Sequence, residues 1–200
     1  MNQRKVWDKI APQWNKYKIE SPTIIKDFLS KCSGKVLDLG CGSGRNFHKF
    51  NGVIYGVDFS SQMLKFAKEN SLIKGLNNIV LIKSKASKLP FENNFFDAVL
   101  CIALIHCVKY QFIRKKIIKE MYRVMKPEAK ALVTVWDKNA KRFKNKPKRI
   151  RVPWTIGDKK VYRSYYLYDA DELRKELEEV GFRVLKRIEP SSNIIFIIQK

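Results

Sequence analysis

Residues 34–47 read GKVLDLGCGSGRNF, and the fold follows from this stretch. Its first half, KVLDL, is a short valine- and leucine-rich run of the kind that forms a buried parallel strand. An acid, Asp38, stands near the end of the strand, and Gly40, Gly42 and Gly44 follow at alternate positions. Glycines spaced in this way let the backbone turn tightly and come close to a ligand. A dinucleotide fingerprint wants G-x-G-x-x-G, but counting from Gly40 the last of those positions is Arg45. A carboxylate just before the turn would repel a pyrophosphate, whereas it suits a cationic sulfonium ligand with an α-amino group. Asp58 closes the run VIYGVD at 53–58 and is placed to accept hydrogen bonds from ribose hydroxyls. Together the glycine turn and the two acids describe a site for adenosine joined to an amino acid.

Outward from this turn, short apolar runs alternate with segments of helical period, the pattern of a mainly parallel α/β sheet. Strands are expected near 35–39, 53–57, 79–83, 96–102 and 130–136, and helices near 21–31, 44–50, 60–70, 111–125 and 169–180. Ser60 is a candidate N-cap, as is Asp169, where Glu172 completes a capping-box pattern; Gly181 is a natural stop. Phe112, Ile113, Ile117, Ile118 and Met121 form the stripe expected to be buried on the fourth helix. The runs FRVLKRI at 182–188 and NIIFII at 193–198 are close enough to pair as a terminal hairpin. Residues 1–200 therefore read as one α/β domain with a sheet of seven strands and helices on both faces. Residues 137–168 have no clean period and are expected to be a long functional loop.

Lysine and arginine number 41 against 19 aspartates and glutamates, a formal charge of +22, which points to a polyanionic partner or to a lysine-rich solvated surface. The charge has a location. Residues 138–151, KNAKRFKNKPKRIR, carry eight basic side chains and no acid. The segment 109–126 holds Lys109, Arg114, Lys115, Lys116, Lys119, Arg123 and Lys126 against Glu120 alone. Both follow strands at the carboxyl edge of the sheet and are expected to rim the site. Cys32, Cys41, Cys101 and Cys107 include no C-x-x-C pair and accompany two histidines, so no metal centre or disulfide framework is expected. The N-terminal residues lack an apolar signal core, and no apolar run is long enough to span a bilayer; a cytoplasmic location is expected.

VLDLGCGSG at 36–44, VDFS at 57–60, LPFENNFFDAVLCIALIH at 89–106 and MKPEAKALV at 125–133 together resemble the class I S-adenosylmethionine-dependent methyltransferases. The resemblance covers nearly the whole chain. It implies a Rossmann-like fold and S-adenosyl-L-methionine as cofactor, with contacts from Asp38, Gly40, Cys41, Gly42 and Gly44, ribose contacts from Asp58 beside Phe59, and a cofactor-adjacent strand end at Ile102. Many members carry an acid in the turn before the L-P motif, where it meets the adenine amino group. This chain has Ser84, Lys85, Ala86 and Ser87 there, so backbone groups at Lys85 and Ala86, or the Ser87 hydroxyl, are the candidates for that contact.

WDKIAPQW at 7–14, IALIH at 102–106, VPW at 152–154 and YRSYYLYDADEL at 162–173 are more narrowly similar to tRNA methyltransferases that esterify carboxymethyluridine at the wobble position. The reaction so implied is attack of a carboxylate oxygen on the sulfonium methyl, which needs orientation and charge balance but no general base. His106, Arg163, Tyr165 and Lys18 are the candidates for holding the acceptor, with Tyr166 as a further stacking ring. Residues 1–20, with Trp14, are expected to cover the cofactor, and Trp154 either lines the acceptor pocket or anchors the basic loop. Lys141, Arg142, Lys144, Lys148, Arg149 and Arg151 are the candidate RNA contacts. The third strand, IVLI at 79–82, is expected at a sheet edge, where the resemblance implies a small zinc-binding activator protein and a heterodimer. Other readings are a methyltransferase for a small molecule, lipid-like quinone or protein, one for a different tRNA or rRNA site, and a non-catalytic RNA-binding module. The intact Asp38, glycine turn and Asp58 argue against the last.

Overall fold

The computed structural model describes residues 2–17, 20–189 and 192–200. The strands are β1 (Gly34–Leu39), β2 (Gly52–Asp58), β3 (Ile79–Lys83), β4 (Phe96–Ile102), β5 (Met125–Trp136), β6 (Arg149–Ile156), β7 (Lys159–Tyr166), β8 (Arg183–Arg187) and β9 (Asn193–Gln199). The helices are α1 (Gln3–Tyr17), α2 (Thr23–Leu29), α3 (Ser61–Ile73), α4 (Gln111–Val124) and α5 (Ala170–Glu178). Seven strands form one sheet in the order β3-β2-β1-β4-β5-β9-β8. The first five pair in parallel, and β9 runs antiparallel to both of its neighbours. Among the described residues, no helix is long and apolar enough to cross a membrane.

Alternation along the strands sorts the core into two layers. Ala98, Leu100 and Ile102 of β4 face Ile25, Phe28 and Leu29 of α2. Val99 and Cys101 between them face Ile117, Ile118 and Met121 of α4 and Leu173 and Leu177 of α5. The central strands are thus covered on both sides, as a parallel sheet requires. Phe112 departs from the expected stripe: it stands 69% exposed at the head of α4, while the rest of the stripe is buried or half-buried.

α1 leaves the sheet alone and packs on α3 and on the β6-β7 hairpin. Val6, Ile10 and Ala11 meet Met63 and Val161 in a separate small core. Ser60 caps α3, its hydroxyl accepting from the Met63 amide at 3.1 Å and donating to Asp8 Oδ1 of α1 at 2.6 Å. One serine therefore fixes both the start of α3 and the seat of α1.

Three expectations are corrected. Residues 44–50 are a turn and an extended run, not a helix. Gly44 has φ of +74°, and Lys74 Nζ takes up the carbonyls of Gly44, Arg45 and Phe47 at 3.3, 3.1 and 3.3 Å, acceptors that helical amides would otherwise have used. Residues 137–168 are not one long loop, because a short 3-10 turn at Lys141–Phe143 leads into the two-stranded β6-β7 hairpin. Asp169 precedes α5 but makes no side-chain capping bond; it pairs with Lys148 Nζ at 2.6 Å, and Glu172 accepts from the Tyr166 hydroxyl and from Lys148.

Candidate active site at the carboxyl edge of the sheet

A cavity of about 710 Å³ opens where β1, β2 and β4 end, within the usual range for small-molecule sites. Its floor is the glycine turn, from Gly40 to Ser43, with Asp58 and Phe59 from the end of β2 and Ile102 to Leu104 from the end of β4. Trp7 and Trp14 of α1 roof it, and Val161, Tyr162 and Ser164 of β7 close its outer side. Trp7 and Trp14 are seven residues apart, so they share one helix face; their rings meet edge to face at 5.2 Å. Gln3 ties the roof to the wall, accepting from the Ser164 amide and donating to the Tyr162 carbonyl.

Gly42 decides how close a ligand can come. Its φ of +55° is a left-handed conformation that side chains resist, and no atom stands within 4 Å of where a Cβ would project. Gly44 instead serves packing, since a Cβ there would meet the Phe47 ring at 2.6 Å. Asp58 holds the turn to the end of β2 by accepting from the Gly42 amide at 3.1 Å and the Ser60 amide at 2.8 Å. Burial pushes its carboxyl up to about 6, offset in part by those amides.

Asp38 is fully buried beneath the turn. Its Oδ2 accepts a long bond of 3.5 Å from Asn46, and its Oδ1 has no partner. Burial raises this carboxyl to about 7, against the opposing effects of Asn46 and the Arg45 charge. A buried carboxylate oxygen without a donor is costly. An acid in this state and an open glycine cradle fit a cofactor bearing a positive charge. Because neutral carboxyls must ionise to meet that cation, cofactor affinity is expected to rise from pH 5.5 to 8. Asp38 does not itself line the cavity, and binding near neutral pH should release protons held by Asp38 and Asp58, the two carboxyls that burial raises. Calorimetry in buffers of different ionisation enthalpy reads this directly; pH-independent binding without proton release would contradict the assignment.

The structure distributes the remaining candidates unequally. Cys41, Phe59, Ile102 and Trp14 line the cavity, as do Gly40, Gly42 and Asp58. Lys85 and Ala86 do not. They sit in a tight turn closed by the Lys88 amide on the Lys85 carbonyl and by the Ser84 hydroxyl on the Lys88 carbonyl, and Ala86 packs on the core. His106 also stays outside the cavity, being 1% exposed and stacked against Trp136 and Tyr165 at 5.0 and 5.5 Å. Burial and the Arg142 charge hold its imidazole down at about 3, so it is neutral near pH 7. Tyr165 is a buried ring in the same stack, 4.2 Å from Trp136. Trp154 anchors the hairpin to α1, with Trp14 at 5.6 Å and its indole N–H donating to Gln13. Lys18 lies outside the described residues.

Arg163 occupies an unusual place. It is 6% exposed, donates to the Tyr165 hydroxyl at 2.8 Å and has no partner at Nε. Its guanidinium lies 4.8 to 5.9 Å from the ring centres of Trp7, Trp14, Trp154 and Tyr165. Among the described residues no carboxylate pairs with it. Arg163 is not itself among the residues that line the cavity, but its strand neighbours Tyr162 and Ser164 are, as is Cys107, whose thiol feels the arginine charge.

The basic residues divide as well. Lys148 is held by Asp169 and Glu172, and Arg142 spans the Trp136 and Phe143 rings while donating to Asn193. Lys141, Lys144 and Arg149 are exposed outside the main cavity, whereas Arg151 lines it. α4 is not the basic rim expected from its sequence. Arg114 is buried on Tyr168, Lys115 pairs with Glu179, Arg123 with Glu120 and Lys126 with Asp97. Of that segment's cations only Lys109 lines the cavity, opposite Lys160, which sequence reasoning missed.

Comparison with known proteins gives the family. A family model described as a methyltransferase domain matches residues 37–133. The chain is 30% identical over 174 residues to an Encephalitozoon cuniculi protein classed as a methyltransferase, covering 82% of this chain and 78% of that one. It is 27% identical over 209 residues to the tRNA (carboxymethyluridine(34)-5-O)-methyltransferase of Schizosaccharomyces pombe, covering 91% and 89%. The fold superposes on an S-adenosylmethionine-dependent methyltransferase of Methanosarcina mazei with a TM-score of 0.70 at 23% identity, over 90% of this chain and 98% of that one. The chain belongs to the S-adenosylmethionine-dependent methyltransferase family, and its cofactor is S-adenosyl-L-methionine.

Proposed function

We propose that this enzyme methylates the carboxylate of a carboxymethyl-type uridine at the wobble position of tRNA. The observation that carries this reading is Arg163, a buried cation without a carboxylate partner beside the outer wall of the cavity. Burying an unpaired charge is unfavourable, and aromatic faces offset only part of the cost. An anionic acceptor supplies the missing partner.

In the reaction a carboxylate oxygen forms a bond to the methyl carbon, the carbon–sulfur bond breaks, and its electron pair stays on sulfur. One negative and one positive charge become a neutral ester and a neutral thioether. No proton moves, so no general base is needed, which accords with the neutral, enclosed His106. Asp58 is the one carboxylate among the described lining residues, and its contacts to Gly42 and Ser60 assign it to the cofactor end. Enclosure between the tryptophan roof and the hairpin removes water from two charges that vanish as reaction proceeds. The name of the Schizosaccharomyces pombe relative supports the choice of acceptor.

The protein, S-adenosyl-L-methionine and tRNA lacking its terminal wobble modification are expected to give a carboxymethyl-type uridine heavier by one methyl group, seen by nucleoside mass spectrometry. Methyl on a ring carbon or nitrogen, or transfer that does not need RNA, would contradict the proposal.

The proposal extends to a small zinc-binding activator paired along β3. This strand bonds to β2 on one side and ends the sheet on the other, with Val80 39% exposed, an arrangement that invites pairing with another chain. Co-expression with such a partner is expected to raise solubility and activity; full activity of the isolated chain would count against it.

A further inference from the structure

Phe112 was expected in the core of α4 and is instead exposed, and it does not stand alone. Tyr110 is 53% exposed beside it, with ring centres 5.7 Å apart, and Lys109 Nζ lies 4.9 Å over the Tyr110 ring. Large exposed rings at a cavity mouth mark a surface that binds something. Tyr110 and Lys109 line the cavity from the α4 side, and Arg151, Lys160 and the 47% exposed Tyr162 line it from the hairpin side. Cations and exposed rings therefore line the cavity from both sides, with Phe112 beside Tyr110 just outside the lining.

A second groove meets the cavity at Arg151. Arg142, Lys146, Arg149 and Arg151 line this shallower groove on the outer side of the hairpin, and Arg151 belongs to both. No aspartate or glutamate lines the groove among the described residues. A basic track leading to a mouth with exposed rings is how proteins hold single-stranded nucleic acid, with cations along the backbone and bases stacked on π-faces.

We propose that this collar binds the single-stranded RNA flanking the acceptor nucleotide. The phosphates follow Arg149, Arg151 and Lys160, and the base adjacent to the acceptor stacks on Tyr110 and Phe112. The inference rests on the RNA reading above and adds a footprint to it. It also narrows the basic loop: Lys148, neutralised by two acids, takes no part.

The test is binding of a fluorescent uridine-rich RNA octamer, with an RNA duplex of equal length and polyglutamate for comparison. Tyr110→Ala with Phe112→Ala should weaken octamer binding about tenfold and leave its salt dependence unchanged. Arg151→Gln with Lys160→Gln should weaken it and reduce the salt slope by roughly 0.7 per charge removed. Lys31→Ala with Lys49→Ala, at the opposite edge of the sheet, should match the wild type. Each variant is checked for thermal melting and cofactor binding, so that loss of fold is recognised. Wild-type octamer affinity in the double alanine variant would overturn the proposal, as would equal affinity for duplex or full competition by polyglutamate. Binding does not depend on methyl transfer, so a collar that binds RNA while the methyl goes to another atom would refute only the carboxylate reading. Normal tRNA methylation kinetics in the collar variants would refute only the collar.

Discussion

Arg163→Met is expected to leave the fold and cofactor binding intact and to lower kcat for the RNA carboxylate by about 10²–10³-fold. That is the range found when a pre-organised donor to a reacting anion is removed. The side chain stands between Trp7, Trp14, Trp154 and Tyr165, so methionine fills much of its volume among the same rings. The charge is what disappears. Arg163→Lys should recover part of the rate, because a lysine keeps the charge but loses the planar fork that meets a carboxylate with two bonds. If Arg163 only braced the aromatic box, the methionine variant would lose melting temperature and cofactor affinity along with rate, and the lysine variant would show no selective rescue of kcat.

The second large effect is expected at Gly42. In Gly42→Leu the branched side chain projects into the open space of the cradle, and cofactor affinity should fall about 100-fold, equivalent to ~2.7 kcal/mol, the scale of cost when a side chain is forced into filled space. Strain from positive φ is a separate effect. Gly75 provides the control: its φ is +63°, its surroundings are equally open, and it lies outside the cavity. Gly75→Leu should lower stability by a similar ~1–2 kcal/mol and leave cofactor affinity unchanged. Equal affinity in the two variants, measured by calorimetry, would remove Gly42 from the cofactor site.

Much of this architecture was legible because local chemistry and tertiary packing agree. The run KVLDL buries Val36, Leu37 and Leu39 and lies in the middle of a sheet covered on both sides. The glycine turn could be read because φ of +55° at Gly42 leaves few other residues free to stand there. Misreadings arose where a distant group overrode local sequence. Residues 44–50 have a plausible helical pattern, yet the ammonium of Lys74 satisfies three of their carbonyls. Asp169 has the identity of a cap, but Lys148 competes for its carboxylate.

The hairpin was readable and missed. Arg149, Arg151 and Pro153 alternate with the half-buried Ile150, Val152 and Trp154, and Gly157-Asp158 is a two-residue turn signal, but the density of charge hid the period. Basic residues on α4 gave the opposite error. Sequence shows their sign, not their partners: Arg114 is buried on Tyr168, and Lys115, Arg123 and, just past the helix, Lys126 pair with acids of the same chain. His106 lies in a motif that points to the acceptor, and the stack of Trp136 and Tyr165 that encloses it could not be seen along the chain.

Whether the acceptor is a carboxylate is read from the fate of the transferred methyl under mild alkali. tRNA lacking its terminal wobble modification is labelled from S-adenosyl-L-methionine carrying a radioactive methyl, recovered, and treated at a pH that hydrolyses esters but spares methylated bases. Release of the label as volatile methanol is the predicted result, with incorporation by Arg163→Met slowed about 10²–10³-fold. Label that stays with the nucleoside would mean transfer to carbon or nitrogen and would contradict the account.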